Sequence, residues 1–363
     1  MAKKRVGANQ RKIDLGLDIM SALKKMDELK IKLLLVTKED KYHSLLSIGD
    51  IQRAIIKNVD LATAVSSILR PNIRVSHTSE SHDEIKSRML EWRTELMPVV
   101  NQDGEIERIW LWDEMFDQEL EQERNELNIP VVIMAGGKGT RLRPITNIIP
   151  KPLVPVGEKS MIEIIIDNFR KIGCKSFYAT VNYKHKLIEN HFADIEDKDY
   201  EISFHKEEQP LGTAGSLYLL KEKINDTFFI SNCDILIDQD YRDIYNYHKE
   251  HKNELTLIAS LKSYQIPYGT VESGENGELL EMREKPELTF KINSGMYILE
   301  PHLLDEIPEN SFFHITELID KIKKRGGKVG VFPVSEKSWF DIGQWSEYQQ
   351  TLSSYENRFT WSS

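Results

Sequence analysis

Residues 129–144 read IPVVIMAGGKGTRLRP, an apolar run that stops abruptly at a glycine-rich turn. No other feature constrains the fold as much. A run of β-branched residues too short for a helix reads as a strand buried on both faces, and the glycines require a tight turn at its carboxyl end. Beyond it, strand-like runs (KSFYATVNY, TFFISNCDI, LTLIASL) alternate with helical patterns (MIEIIIDNFRKIG, GSLYLLKEKI, YRDIYNYHKEH). Strands alternating with helices must cross over, so the expected fold is α/β: a doubly wound, mainly parallel, Rossmann-like sheet. Ligands of such sheets bind beyond the carboxyl ends of the strands. Chemistry is therefore expected in the turns after VVIM and FISNCD.

The first of these turns is Ala135-Gly136-Gly137-Lys138-Gly139-Thr140-Arg141. Glycines let backbone N–H groups approach an anion closely, and a following helix start favours negative charge. It is not a Walker A loop, because Gly139 stands where Ser or Thr must follow Gly-Lys. It is not a dinucleotide fingerprint either, because Leu142 replaces the third glycine. What distinguishes it is a pair of cations, Arg141 and Lys151, placed for one phosphate-sized locus. The chain as a whole is acidic, with 48 Lys and Arg against 58 Asp and Glu, which argues against a general nucleic-acid or anionic-membrane binder. Its two cysteines, Cys174 and Cys233, are too few for a metal cluster or a disulfide framework and fit a reducing compartment. The opening MAKKRVGANQRK leads into no apolar segment and no run spans a bilayer, so a soluble, cytoplasmic protein is expected.

Upstream, the acidic run DEMFDQELEQERNEL (113–127) reads as a solvated helix or linker. The expected division is an α+β amino-terminal domain at 1–120, a linker at 121–128, the α/β domain at 129–355 and a tail at 356–363. The first of these carries a weak duplication. Residues 33–55 and 97–116 each read as strand, acidic turn, strand, and an Asp opening a helix, and each follows a helical pattern starting near Ile19 or His82. Two such units would pack against each other. The pair resembles a tandem of CBS modules, which commonly bind adenine nucleotides or act as regulatory and dimerising domains. In that family a Ser/Thr-x-x-Asp at the helix entrance holds ribose and phosphate. Ser47-Ile-Gly-Asp50 matches it, whereas Trp110-Leu-Trp-Asp113 lacks the hydroxyl. The resemblance implies an adenine nucleotide at Ser47 and Asp50 and a homodimer formed through this domain, where Trp110 and Trp112 would need cover. Asp50 reads equally well as a helix cap.

The glycine-rich turn runs on into Thr-Arg-Leu-Arg-Pro and then Lys151-Pro-Leu-Val-Pro-Val. This combination resembles the sugar-1-phosphate nucleotidyltransferases, whose signature is GGxGTRLxPxT followed by KPLxPV, and further segments agree in order. Glu208–Gly215 (EQPLGTAG) resembles the base-recognition segment and Asn232-Cys-Asp234 the strand end bearing a metal-binding Asp. Tyr268–Glu272, Glu284-Lys-Pro286 and Asn293–Tyr297 resemble the sugar-site segments, and Trp339-Phe-Asp-Ile-Gly343 carries the second metal-binding Asp. The resemblance implies Mg²⁺ at Asp234 and Asp341, and catalytic roles for Arg141, Lys151 and Asp234. It implies a nucleoside triphosphate held by Ala135, Gly136, Gly137, Gly139, Thr140, Gln209, Gly212 and Thr213. The sugar 1-phosphate would meet Tyr268, Gly269, Glu284, Lys285 and Asn293. Ser160 departs from the pattern, standing where the family usually has Pro, and affects a helix entrance rather than the chemistry.

Physical chemistry supports the same reading. Attack of a sugar phosphate oxygen on the α-phosphorus of a triphosphate brings two anions together, so the site must neutralise repulsion and the charge developing on pyrophosphate. Arg141 and Lys151 suit the triphosphate and Lys285 the sugar phosphate, while two carboxylates suit Mg²⁺, a hard cation. No side-chain nucleophile is required, and Cys233 reads as a small packing residue. His185, His191, His248 and His251 read as surface residues. Two rivals remain open. Asp238-Gln-Asp240 is literally the DxD of metal-dependent glycosyltransferases, although it also begins a helix, where acidic residues are favoured. The other is a catalytically silent nucleotide sensor. PLGTAG is most similar to guanylyl- and uridylyl-transferring branches. A CBS pair joined to this domain resembles bacterial glucosamine-1-phosphate guanylyltransferases of nonulosonic (legionaminic) acid pathways. GTP with glucosamine 1-phosphate or mannose 1-phosphate is the expected pair, with UTP as the alternative.

Overall fold

The computed structural model describes residues 6–71, 74–92, 94–115, 126–349 and 351. The chain divides into two compact units, Met1–Arg124 and Asn125–Ser363. Most of the segment expected as a linker lies outside the described residues, as do the tail at 356–363 and the Asp113 side chain.

The amino-terminal unit repeats one arrangement. Lys12–Asp14 pairs parallel with Leu33–Lys38, which pairs antiparallel with Lys41–Ser47. Ser76–His77, Leu96–Val100 and Ile106–Leu111 repeat the same order and senses. Helices Ile19–Leu29 and His82–Trp92 occupy equivalent places between the first two strands, and Ile48–Ile56 and Trp112–Met115 follow the third. The hairpin tips meet, with the Tyr42 N–H donating to the Gly104 carbonyl at 2.8 Å. Trp110 and Trp112 pack on Ile85, Met89, Met97, Val99 and Met115. The indoles expected to need a second copy for cover thus find apolar contact within their own half.

The carboxy-terminal unit is built on a seven-stranded sheet in the order 201–206, 176–181, 131–135, 228–232, 287–299, 255–265, 329–334. Only Glu287–Leu299 runs antiparallel to its neighbours. Side-chain alternation explains why the strands read as unbroken apolar runs. Val131, Ile133 and Ala135 enter one core with Ile164, Ile165 and Phe169 of helix Met161–Arg170. Val132 enters the opposite core with Leu318 and Ile322 of helix Ile315–Lys324. Burial of both faces is what a doubly wound sheet requires. Ser160 opens helix Met161–Arg170 with a capping box, its hydroxyl accepting from the Glu163 N–H. Among the described residues, no helix is long and apolar enough to cross a membrane.

Three details differ from expectation. GSLYLLKEKI contains only a 3₁₀ segment, Gly215–Leu220, because Gly215 is pressed against the chain at residues 311–313; a Cβ there would lie 2.4 Å from the Ser311 carbonyl oxygen. TFFISNCDI splits: Phe228–Asn232 joins the main sheet, while Ile235–Ile237 turns away to pair with Trp339–Asp341. His248 is not a surface residue but fully buried, with Nδ1 2.8 Å from the Thr256 hydroxyl and Nε2 3.1 Å from Glu300. The 3.6-residue period of YRDIYNYHKEH brings it onto the same face as Tyr241 and Ile244, facing the sheet. His248→Ala removes a packed ring and takes one polar contact from two inward-facing groups, so a loss of about 2–4 kcal/mol is expected, read from urea denaturation. An unshifted midpoint would mean that water replaces the ring without cost.

Candidate active site

The strand order reverses between Val131–Ala135 and Phe228–Asn232: the first two crossovers proceed to one side and the rest to the other. The crevice beyond these two carboxyl ends is where a doubly wound sheet binds ligands, and the sequence motifs assemble around it. Ala135 ends the first strand, Gly136–Gly139 make the turn, and Thr140 opens the 3₁₀ segment Thr140–Leu142 that carries the exposed Arg141. Gly139 is held at φ +63°, and a Cβ there would come within 2.9 Å of the Lys151 and Thr146 side chains. The turn is thereby pressed onto the Lys151 segment, with the Thr146 hydroxyl donating to the Gly139 carbonyl at 2.8 Å.

Lys151 forms a buried ion pair with Asp234 at the end of the neighbouring strand. Burial works against its ammonium, but the Asp234 carboxylate that pairs with it favours the charged form, and its pKa stands above the ordinary lysine value. Burial pushes the Cys233 thiol up to about 12, so it is protonated and fills space. Asp341 arrives from the far end of the unit because Ile235–Ile237 pairs with Trp339–Asp341, setting Ile235 opposite Asp341. The Ile342 N–H then donates to the Asp234 carbonyl at 2.9 Å and the Gly343 N–H to Asp341 Oδ1 at 2.8 Å. The convergence is seen most directly at Gly343. A Cβ on it would lie 2.1 Å from Asp234 Oδ2, 2.9 Å from Asp341 Oδ1 and 3.1 Å from Lys151 Nζ.

Two carboxylates meeting at one bare backbone position make a cradle of hard oxygen donors. Among the described residues no group of three or more His, Cys, Asp or Glu forms a metal-ligand cluster. Two carboxylates, with the remaining positions left to phosphate oxygens and water, is the donor set that Mg²⁺ accepts. The residues present therefore fit the ion.

The other expected residues fall into two groups. Gln209 donates to the Asn310 carbonyl at 3.0 Å, and the Thr213 hydroxyl accepts from the Ile315 N–H at 3.0 Å. Gly212, at φ +80°, would meet the Phe313 carbonyl oxygen at 2.6 Å if it carried a Cβ. These three tie the segment after Glu201–Lys206 onto residues 310–315. Tyr268, Gly269, Glu284 and Lys285 lie at the base of the hairpin Thr270–Ser273 and Leu279–Arg283, where Gly269 abuts the Glu284 carboxylate. Asn293 bonds the Tyr297 hydroxyl and accepts from the Gly295 N–H. Gly295 in turn lies against Asn232, with 2.5 Å from its Cβ position to Asn232 Nδ2, which links the Asn293 segment to the strand bearing Asp234. Sequence reasoning missed Glu207, buried against Gly136, and Glu347, whose Oε2 is buried without a hydrogen-bond partner. Asp341, Arg141 and Asp234 all act on the Glu347 carboxyl electrostatically, and its pKa is raised, chiefly by burial.

In the other unit, Ser47 and Asp50 form a capping box on helix Ile48–Ile56. Asp50 Oδ2 accepts from the Ser47 N–H at 2.9 Å, and Oδ1 takes Arg70 Nε at 2.6 Å and pairs with Arg53. Both oxygens are occupied.

Comparison with known proteins gives the family. The Nucleotidyl transferase family model matches residues 130–358. The chain belongs to the nucleotidyl transferase family. It is 35% identical over 232 residues to the mannose-1-phosphate guanylyltransferase catalytic subunit beta of Dictyostelium discoideum, covering 62% of this chain and 64% of that one. It is 31% identical over 241 residues to the UTP--glucose-1-phosphate uridylyltransferase of Synechocystis, covering 61% and 62%. The match thus spans less than two thirds of the length of these curated relatives. A Bacillus anthracis crystal structure, described as "Putative Glucose-1-Phosphate Thymidylyltransferase", shares the fold at TM-score 0.52 and 20% identity, over 65% of this chain and 98% of that one. In this nucleotidyl transferase the DxD segment is a helix entrance: Asp240 caps Tyr241–Glu250 by accepting from the Arg242 N–H at 3.0 Å.

Proposed function

We propose that this nucleotidyl transferase moves a guanylyl group from GTP to a sugar 1-phosphate, mannose 1-phosphate or glucosamine 1-phosphate, releasing pyrophosphate. The observation that carries the reading is the meeting of Asp234, Asp341 and Lys151 at Gly343, beside the glycine turn. Relatives named as mannose-1-phosphate guanylyltransferases favour GTP. Asp234 and Asp341 would hold Mg²⁺, which supplies charge neutralisation between the two anionic reactants. The turn at Gly136–Gly139 offers backbone N–H groups to the triphosphate. Arg141 and Lys151 draw charge from the departing pyrophosphate, and Lys285 steadies the acceptor phosphate. The acceptor oxygen attacks the α-phosphorus in line, and the bond to pyrophosphate breaks, with no enzyme-bound intermediate. The test is pyrophosphate release with five nucleoside triphosphates against several sugar phosphates. Turnover only with UTP would replace guanylyl by uridylyl transfer, and no turnover with any pair would favour a silent sensor.

Arg141 meets the greatest negative charge only as pyrophosphate leaves. Arg141→Ala is therefore expected to lower kcat by about 100-fold while KM for the triphosphate moves little. A raised KM with unchanged kcat would reduce Arg141 to ground-state binding.

We assign the duplicated amino-terminal unit a regulatory or dimerising role of CBS type, with an adenine nucleotide as its ligand and a cytoplasmic setting for the whole protein. All the residues we assign to phosphate handling lie within Asn125–Ser363. A truncated chain beginning at Asn128 is thus expected to retain turnover and to lose any response to adenine nucleotides. A truncated chain that is folded by circular dichroism yet inert would mean that the duplicated unit completes the active site.

A further inference from the structure

Glu347 stands in the helical turn at 345–349, just past Gly343. Two contacts fix that turn. The Tyr348 N–H donates to the Gln344 carbonyl at 2.8 Å, and the Tyr348 hydroxyl donates to the Pro155 carbonyl at 2.6 Å, in the segment that follows Lys151. Glu347 is thus carried between the Asp341–Gly343 corner and the Lys151 segment. A Glu three residues past a helix entrance ordinarily folds back onto the entrance N–H. Glu163 does so at Ser160, and Glu317 at His314. Glu347, three residues past Gln344, makes no such bond among the described residues, and its Oε2 is buried without a donor.

The surroundings of this oxygen are those of the cation site. Burial and the neighbouring Asp341 and Asp234 carboxylates work against a charge on Glu347, while Lys262 and Arg141 favour it; burial is the largest influence, and the pKa stands raised. Neither cation donates to Oε2. A buried carboxylate oxygen with no donor, beside two other carboxylates, is costly unless positive charge and a hydrogen-bond donor arrive together. Direct ligation does not supply them. Among the described residues no three metal-binding side chains converge, so Glu347 stands outside the reach of an ion held by Asp234 and Asp341. Mg²⁺ gives up its water reluctantly and keeps several molecules of it, whose hydrogens point outward and need acceptors. We propose that Glu347 is a positioning residue for the cation, its Oε2 accepting a hydrogen bond from a water in the shell of the Mg²⁺ held by Asp234 and Asp341. That water spans the gap between ion and carboxylate, and the orphaned oxygen gains its donor. The inference rests on the cation reading of the Asp234–Asp341 cradle above and adds the group that orients the ion's remaining shell.

The test uses the full-length protein without substrates. Mn²⁺, a paramagnetic stand-in for Mg²⁺, is titrated into the wild type, Glu347→Gln and Glu347→Asp, and the free ion is followed by its electron paramagnetic resonance signal. Loss of a partner just outside the ligands ordinarily weakens metal binding by about 10–100-fold, and a rise of that size in the Mn²⁺ Kd is expected for Glu347→Gln. The Mg²⁺ midpoint for turnover should rise in the same sense. The melting temperature without the ion should hold or increase, since the variant no longer buries a charge without a donor. Glu347→Asp keeps the charge but draws it back by one methylene; it should weaken binding too, and serves if the Gln variant does not fold. Unchanged Mn²⁺ affinity in the folded variant overturns the inference alone, and a lowered melting temperature beside that unchanged affinity makes Glu347 a support for the fold. Wild-type affinity in Glu347→Asp beside a weakened Glu347→Gln reduces the effect to charge at a distance and overturns the water contact. Wild-type protein that neither binds Mn²⁺ nor needs Mg²⁺ for turnover overturns the cradle reading and this inference with it.

Discussion

Asp234→Asn and Asp341→Asn are each expected to lower turnover by at least about 100-fold, corresponding to about 2.7 kcal/mol of transition-state stabilisation. Each exchange keeps the side-chain volume and an oxygen acceptor while removing one charge from the cradle at Gly343. The two variants should differ in a second respect. Asp234 is buried and paired with Lys151, so its amide leaves an ammonium without its counter-charge and should also lower thermal stability. Asp341 is only partly buried and its Oδ1 is bound by the Gly343 N–H, an interaction that an amide oxygen reproduces. Turnover at saturating Mg²⁺, with circular dichroism melts of both variants, checks the pair of expectations. Near-normal rates in either variant would remove that residue from the cation site.

Four strands of the central sheet, at 131–135, 176–181, 228–232 and 255–265, were legible because their apolar side chains are buried, whereas the edge strands Glu201–Lys206, with no fully buried residue, and Val329–Val334 were not read. Alternate residues such as Val131 and Val132 enter separate cores, and this leaves unbroken apolar runs in the chain. Strand Glu287–Leu299 was not legible, because its outer half is exposed and it pairs with Leu255–Gln265 across an intervening hairpin. No local pattern specifies a pairing of that kind. In the site, the glycine turn and both Asp residues were readable as motifs of fixed spacing. Glu207 was hidden because a Glu next to Glu208 at a strand end resembles an ordinary solvated pair. Its burial comes from the close approach of Gly136 and from the loop that returns through Leu211. The exclusion of His248 from solvent, likewise, depends on Glu300 and Thr256, which reach it from elements beyond its own helix. At Asp50 the motif Ser47-Ile-Gly-Asp50 was readable as well, and its two readings, helix cap and ligand site, share one carboxylate whose oxygens here accept from Ser47 and Arg70.

Gly343→Ala is expected to reduce kcat/KM by about 100-fold or more although it adds a single methyl group, since displacing a reacting group by about 1 Å can cost that much. Gly343 does not lie in the left-handed region, so alanine meets no backbone strain there; what it meets is the site itself. The added carbon would stand 2.1 Å from Asp234 Oδ2, closer than any non-bonded contact, and 3.1 Å from Lys151 Nζ. Neither group yields freely, because the Asp234–Lys151 pair is buried and Lys151 is held beneath Gly139. Asp234 must therefore swing out of line with Asp341, and the cradle loses its shape while keeping all its charges. This separates geometry from electrostatics: Asp234→Asn removes charge in place, whereas Gly343→Ala moves charge without removing it. The apparent Mg²⁺ requirement should rise in the Gly343 variant, measured by titrating the ion against turnover at saturating substrates, and the melting temperature should fall as well, because overpacking of this kind costs about 1–3 kcal/mol. Wild-type turnover with an unchanged Mg²⁺ midpoint would show that the two carboxylates do not act at a common point, and the cation site would have to be sought around only one of them.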